Sequence, residues 1–386
     1  AGLIDLDLNQ QQKVLNSYGY PMGLADYSAF ILGGLPKQGQ TLEEVKDLLL
    51  NEIKKLRAGE FDEKMLQANI NNFKLYELQS MESNEGRADI FVNSFINGTN
   101  WKDEVTAIDR MAKLTKEDIV AFADKYLKED NYAVVYKKQG KDPNEKKMTK
   151  PEITPIVSNR DVASPFLTSI QENAVKPIEP VFLDFKKDMS QLTAKSDIPV
   201  LYKQNTTNDL FQLIYVFDMG NNNDKALGTA FDYLEYLGTS DMTPEELKSE
   251  FYRLACTFYV SPGNERTYVV LSGLNENMPA AMQLFEKLLA DAQANKEAYN
   301  NLVGDILKAR ADAKLNQGQN FSRLMNYAMY GPKSPATNLL TEAELASMNP
   351  QELVDRIHNQ NNYKHRILYY GPSSSKDLLA TIDQYH

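Results

Sequence analysis

The stretch ALGTAFDYLEYLGTSDMTPEELKSEFYRLACTFYVSPGNERTYVVLSGL, residues 226–274, carries the reading of the fold. It opens inside a helical pattern that spans about 224–236. Thr243-Pro244-Glu245-Glu246 then starts a second helix. Thr243 stands at the N-cap, Pro244 brings a fixed φ suited to the first helical position, and Glu246 is placed to reach back to the cap. Cys256, in FYRLACTFYV, reads as a small buried residue, because a nucleophilic cysteine needs a base beside it. The stretch closes on VVLSGL, 269–274, the end of a strand followed by an amphipathic helix.

The same wording occurs once more, nearer the start. YSAFILGGLP, 27–36, reads as a strand running into a turn, and FILGGL at 30–35 matches VVLSGL. A helix follows over 41–57, with a Thr41–Glu44 capping box and Leu42, Val45, Leu48, Leu49, Ile53 and Leu56 at helical spacing, ended by Gly59. Residues 62–81 and 83–96 read as helices, another begins near Thr115, and NYAVVYKK, 131–138, reads as a closing strand. LTKEDIVAFADKYLKEDNYAVVYKKQG from Leu114 matches MNPQELVDRIHNQNNYKHRILYYGPSS from Met348, and GEFDEKMLQANINNF matches ANKEAYNNLVGDIL in order. The anchors lie about 230 to 240 positions apart, too far for a solenoid, so the chain is expected to hold two related domains.

Between them periodicity is lost. KDPNEKKMTKPEITP and AVKPIEP are rich in proline and charge, as in an extended linker. Strands resume near 187–193, 198–203 and 209–219. The expected division is a first domain at 1–139, a linker at 140–184 and a second domain at 185–386. About 85 residues precede the anchor strand of the second copy and about 30 that of the first, so the first is expected to be incomplete at its start. Strands alternating with groups of helices give an α+β class, one sheet covered by helices in each domain; strand order is not readable.

Composition narrows the function. The chain has 386 residues, 42% of them hydrophobic and 25% charged, ordinary values for a globular protein with substantial cores. A formal charge of −11 repels phosphate backbones, and there is no basic run with interleaved aromatics, so nucleic acid is excluded as a partner. Apolar runs such as 210–217 fall far short of the roughly 20 residues of a membrane-spanning helix. The first residues, AGLIDLDLNQQQK, have no signal-peptide pattern and open on Ala, so upstream sequence is expected to have been removed. The single cysteine excludes an intrachain disulfide.

Motifs for chemistry are sparse. There is no G-x-S-x-G elbow, no phosphate loop and no G-x-G-x-x-G. Glu43-Glu44 and Glu245-Glu246 stand at helix starts, where the dipole favours negative charge, and Asn97-Gly98-Thr99 reads as a turn. The three histidines, His358, His365 and His386, fall on a helix, a strand and the last position, and read as packing or solvent-facing groups. Two tyrosine sets occupy matched places in the copies, Tyr126, Tyr132 and Tyr136 and then Tyr363, Tyr369 and Tyr370; shared packing or contact with a peptide accounts for either.

The LGGLPKQGQTLEEV wording, SNEGRADIFVNSFINGTNW at 83–101, LTKEDIVAFADKYL and the 226–274 stretch together resemble the insulinase/pitrilysin family of zinc metallopeptidases, over almost the whole chain. The resemblance implies two homologous sheet-plus-helix domains, the second and third in family order, with the first and fourth outside this sequence. The family binds zinc through H-x-x-E-H on a helix of its first domain, with the glutamate as general base. Aligning Gly238-Thr239 with the Gly-Thr that follows that motif puts Thr229, Asp232 and Tyr233 where His, Glu and His would stand. Threonine and tyrosine are poor substitutes for imidazole, so no catalytic, metal or cofactor residue is assigned to this chain, and zinc is expected in the parent's missing N-terminal domain. The implied function is a non-catalytic middle segment, the wall and hinge of a chamber that degrades peptides or unfolded polypeptides. Its partners are then the substrate and the remaining domains of the parent, in a periplasmic or secreted setting. The alternative is part of a catalytically inactive relative that binds peptides as a scaffold or partner subunit.

Overall fold

Asn16–Gly23 (β1) and Ser28–Leu35 (β2) pair antiparallel as a two-stranded ribbon. Leu42–Ala58 (α1) follows in the computed structural model, which describes residues 2–141, 145, 148–156, 158 and 160–386. Both halves of its capping box form: Thr41 Oγ1 accepts from the Glu44 N–H, and Glu44 accepts from the Thr41 N–H at 2.7 Å. Gly59, at φ 70°, turns the chain out of the helix. Val45 and Leu49 meet Leu8, Val14 and Leu32 in a small core between α1 and the ribbon. Gly34 makes that contact possible, because a Cβ there would run into the Val45 side chain.

Five helices follow, Lys64–Ser80 (α2), Asn84–Ile96 (α3), Trp101–Val105 (α4), Ala107–Met111 (α5) and Lys116–Tyr126 (α6). α6 packs on α1, and Arg57 Nε donates to Asp124 at 2.9 Å across the pair. The contacts divide the chain into two compact units, Ala1–Tyr132 with Met189–His386, and Ala133–Asp188.

Within the second unit the one described helix is Pro165–Gln171 (α7), started by Ser164, which accepts from the Leu167 N–H, and by a proline at the first position. The Ser-Pro pair is a readable signal that the surrounding loss of periodicity hides. The strand expected at 131–138 does not form; these residues carry no regular structure. The matching segment near the end of the chain does become a strand, between two others. Near the start of the chain β1 and β2 are the strands among the described residues, and residues 131–138 are exposed, whereas their counterpart is flanked by β4 and β5.

From Met189 onward the elements are Ser190–Ala194 (β3), Ile198–Gln204 (β4), Leu210–Phe217 (β5), Leu227–Leu234 (α8), Pro244–Arg253 (α9), Cys256–Pro262 (β6) and Thr267–Leu274 (β7). Met278–Asp291 (α10), Lys296–Leu315 (α11), Gln317–Tyr330 (α12), Glu342–Ser347 (α13), Pro350–His358 (α14), His365–Gly371 (β8) and Ser375–Tyr385 (α15) complete the chain. The strands form one sheet in the order β3-β4-β8-β5-β7-β6, with β4 and β8 parallel and every other pair antiparallel. The class is α+β, as the sequence implies.

The main core lies between this sheet and α8, α10, α14 and α15. Leu213, Tyr215, Phe217, Val269 and Leu271 supply the sheet side, and Leu227, Phe231, Met282, Phe285, Leu353 and Ile382 the helix side. Burial of each large apolar side chain contributes about 1.5–3 kcal/mol. On the opposite face Leu75 of α2 packs on Leu210 and Ala255, which ties the first copy to the second.

β2 and β7 are matching strands, each paired with the strand before it and followed by a helix on its core face. Their surroundings differ. Val269 and Leu271 of β7 are each 1% exposed, whereas Phe30 of β2 is 47% exposed. β7 has β5 on its second edge; β2 has no ladder partner there among the described residues.

Candidate functional site

Thr229, Asp232 and Tyr233 lie on α8, at the i, i+3 and i+4 spacing that gives one helix face. Leu227, Ala230, Phe231 and Leu234 bury the opposite stripe in the main core. The three candidates meet different surroundings. Thr229 is half-buried and Asp232 reaches solvent, while Tyr233 is fully enclosed.

Tyr233 is committed at both ends of its hydroxyl. It donates to the Asn295 carbonyl at 2.6 Å and accepts from the Asn295 N–H at 2.7 Å. Its ring meets Tyr299 edge to face at 5.7 Å. Asn295 is the N-cap of α11, its Oδ1 accepting from the N–H groups of Glu297 and Ala298. Tyr233 thus pins the start of α11 to α8, and burial raises its phenol above the ordinary range. A side chain so held has neither the lone pair nor the freedom of a metal ligand.

Asp232 stands in an acidic neighbourhood. Partial desolvation, then the charge of Glu235, raises its carboxyl. Glu235 is raised in the same way, with Lys248 acting against the rise. Tyr236 is pushed up to about 12 by burial and by Glu235, Asp305 and Asp232 in turn.

The N-terminal segment closes over this face. Gln10 Nε2 donates to the Glu235 carbonyl at 2.7 Å, Gln12 Nε2 to the Ala298 carbonyl at 3.3 Å, and Lys248 pairs with Asp5 at 3.0 Å. These bonds between residues far apart in sequence are invisible to a motif search. Among the described residues no group of three or more His, Cys, Asp and Glu side chains is arranged to hold a metal ion.

The histidines do not share one fate. His358 Nε2 lies 3.1 Å from the Ala292 carbonyl oxygen. His365 and His386 meet nitrogen to nitrogen at 2.7 Å, and Glu286 of α10 lies against the far nitrogen of His386. That cluster corrects the reading of these two rings as unconnected. His365 and His386 are 21 positions apart and Glu286 is 100 from His386, so no local signal announces it.

The matched tyrosines also divide. Tyr369 is buried, stacked on Tyr202 at 5.8 Å and donating to Asn275 Oδ1 at 3.0 Å, a packing role. Tyr363, Tyr370, Tyr126 and Tyr132 remain exposed, as does Tyr136 in the second unit. Cys256 is buried between β6 and β7, and burial pushes its thiol up to about 12. No described helix is long and apolar enough to cross a membrane.

No family model matches the chain, and no curated protein matches it. Among solved structures it is similar to a peptidase M16 inactive domain from Pseudomonas fluorescens, at 16% identity and a TM-score of 0.44, over 51% of this chain and 50% of that one. It is similar to a protease from Helicobacter pylori at 10% identity and a TM-score of 0.43, over 51% of this chain and 49% of that one. It is also similar to the periplasmic protease PqqL from Escherichia coli, at 12% identity and a TM-score of 0.45, over 99% of this chain and 46% of that one. The chain is thus similar to peptidase structures and spans about half the length of each, or less.

Proposed function

We propose that this chain is a non-catalytic part of an insulinase/pitrilysin-type peptidase, forming wall and connecting segment of a chamber in which unfolded polypeptide is cleaved by zinc held elsewhere in the parent. The observation that carries the reading is Tyr233. At the place where the resemblance requires the second zinc-binding histidine of H-x-x-E-H stands a buried phenol whose hydroxyl is spent on the backbone of Asn295. Thr229, one turn earlier, offers a hydroxyl in place of an imidazole, and the N-terminal segment occupies the neighbouring surface.

The first copy supports the same reading. Tyr18, Tyr20 and Met22 stand exposed along one face of β1, and β2 keeps a free edge. In the second copy the corresponding edge is filled by β5, whose Leu213, Tyr215 and Phe217 are buried in the main core. A ribbon of two strands is marginal alone, and its open edge and apolar face fit docking of the remaining domains of the parent. Residues 133–188 then serve as the connection between the halves, and the setting is periplasmic or secreted.

Peptide hydrolysis tests the proposal. Incubated with an unfolded polypeptide and added zinc, this chain should leave the substrate uncut, with or without a chelator. Cleavage by this chain alone that a chelator abolishes would overturn the reading.

A further inference from the structure

His365 and His386 face each other through their Nε2 atoms at 2.7 Å, a hydrogen-bond distance. Their other nitrogens are already committed. His365 Nδ1 lies 2.7 Å from the Tyr363 carbonyl oxygen, which only accepts, so this Nδ1 carries a proton. His386 Nδ1 lies 2.6 Å from Glu286 Oε1, and the other Glu286 oxygen accepts from Asn361 Nδ2 at 2.7 Å.

If Glu286 is ionised it accepts from His386 Nδ1 as well, and both Nε2 atoms of two neutral rings then present lone pairs to each other. That arrangement is repulsive. One further proton removes the conflict, whether it sits between the rings or passes along the chain so that Glu286 donates to Nδ1 and His386 Nε2–H donates to His365. In either form the three groups together are electrically neutral, which suits their enclosure. The His386 side chain is 1% exposed and that of Glu286 12%.

We propose that Glu286, His386 and His365 form a buried relay that holds one shared proton, a latch fastening the end of α15 and the helix α10 to strand β8.

The walls of the site are apolar or neutral. From β5, the Tyr215 ring stacks on His386 at 4.4 Å and Phe217 lies 4.7 Å from the His365 ring. The Tyr215 hydroxyl is enclosed beside Glu286, and burial first, then the Glu286 charge and a hydrogen bond to that carboxylate, push its phenol well above the ordinary range. From the turn before β8 comes the Asn361 amide. Arg366, next along β8, is held by Asp218. Glu286 is therefore the charge placed to answer an imidazolium.

The sense of the pH response follows. Two coupled rings take up protons in two macroscopic steps. The second proton would set N–H against N–H, so the lower step is depressed; its stabilisation is present above the ordinary range and lost as pH falls through the depressed step. The lowering of His365 by desolvation and by His386 agrees with the second step. The latch then loosens as pH falls through the lowered step of His365.

The chain contains three histidines, so labelling them with nitrogen-15 gives a spectrum of three rings in which His358, outside the cluster, is an internal reference. The proposal expects a through-bond coupling between the Nε2 atoms of His365 and His386, carried by the shared proton, and none at His358. His365→Gln should remove it and flatten the acid-side fall in the urea midpoint. Absence of that coupling in the native chain would overturn the relay. So would saturation of both rings by one equivalent of added zinc, which would make the site a metal site.

Discussion

At the scale of single residues, Tyr233 is a packing group on α8. Its hydroxyl bonds both the N–H and the carbonyl of Asn295 at the start of α11. Tyr233→Phe removes both bonds and takes from the Asn295 N–H its partner, while the carbonyl still accepts from the Tyr299 N–H at 3.0 Å, for an expected loss of about 1 kcal/mol in urea unfolding with no change in bound metal. Cys256 makes a second prediction. With its thiol pushed up to about 12 and its side chain enclosed, it should resist thiol reagents in the folded chain at neutral pH and react on unfolding; rapid modification of the native protein would contradict the packing shown for β6 and β7. The burial of Cys256 was legible because its apolar neighbours in FYRLACTFYV state it locally. The His365–His386–Glu286 cluster was not, since only the parallel and antiparallel pairing around β8 and the packing of α10 and α15 bring its members together.

At the scale of elements, signals closed within a few residues were read correctly. The capping boxes Thr41–Glu44 and Thr243–Glu246 both form, because cap and partner are three residues apart and need nothing else. Strands are different. NYAVVYKK has the composition of one and does not become one, while its counterpart around Tyr369 becomes β8 because β4 and β5 are there to receive it. The matching glycines Gly34 and Gly273 make the same point from the packing side. Gly34 lets α1 approach β2; Gly273, at φ 151°, lets the turn at Ala255 and Cys256 cross β7. Gly273→Ala would drive a methyl group into the Ala255 carbonyl and Cys256, in a backbone region that side chains avoid. The expected outcome is a loss of more than about 1 kcal/mol, read as a lower denaturant midpoint at unchanged slope. An unaltered midpoint would mean that the crossing is looser than drawn.

At the scale of the whole molecule, the duplicated wording led to an expectation of two related domains; β1–β2–α1 and β6–β7–α10 each place a helix on an antiparallel strand pair. The strand order of the larger sheet, with β8 inserted between β4 and β5, was beyond sequence reading because each of those pairings joins residues 148 or more positions apart. So was the N-terminal segment laid against α8 and α11 through Gln10 and Gln12. The proposal rests on apolar side chains along the ribbon, on a β2 edge without a ladder partner among the described residues, and on an α8 fastened to α11 through Tyr233. The most direct test of that account is the zinc content of the purified chain after exposure to zinc and removal of the excess. The account predicts far less than one zinc per chain, unchanged in Tyr233→Phe; one zinc retained per chain, released by a chelator and lost on altering Thr229, Asp232 or Tyr233, would contradict it.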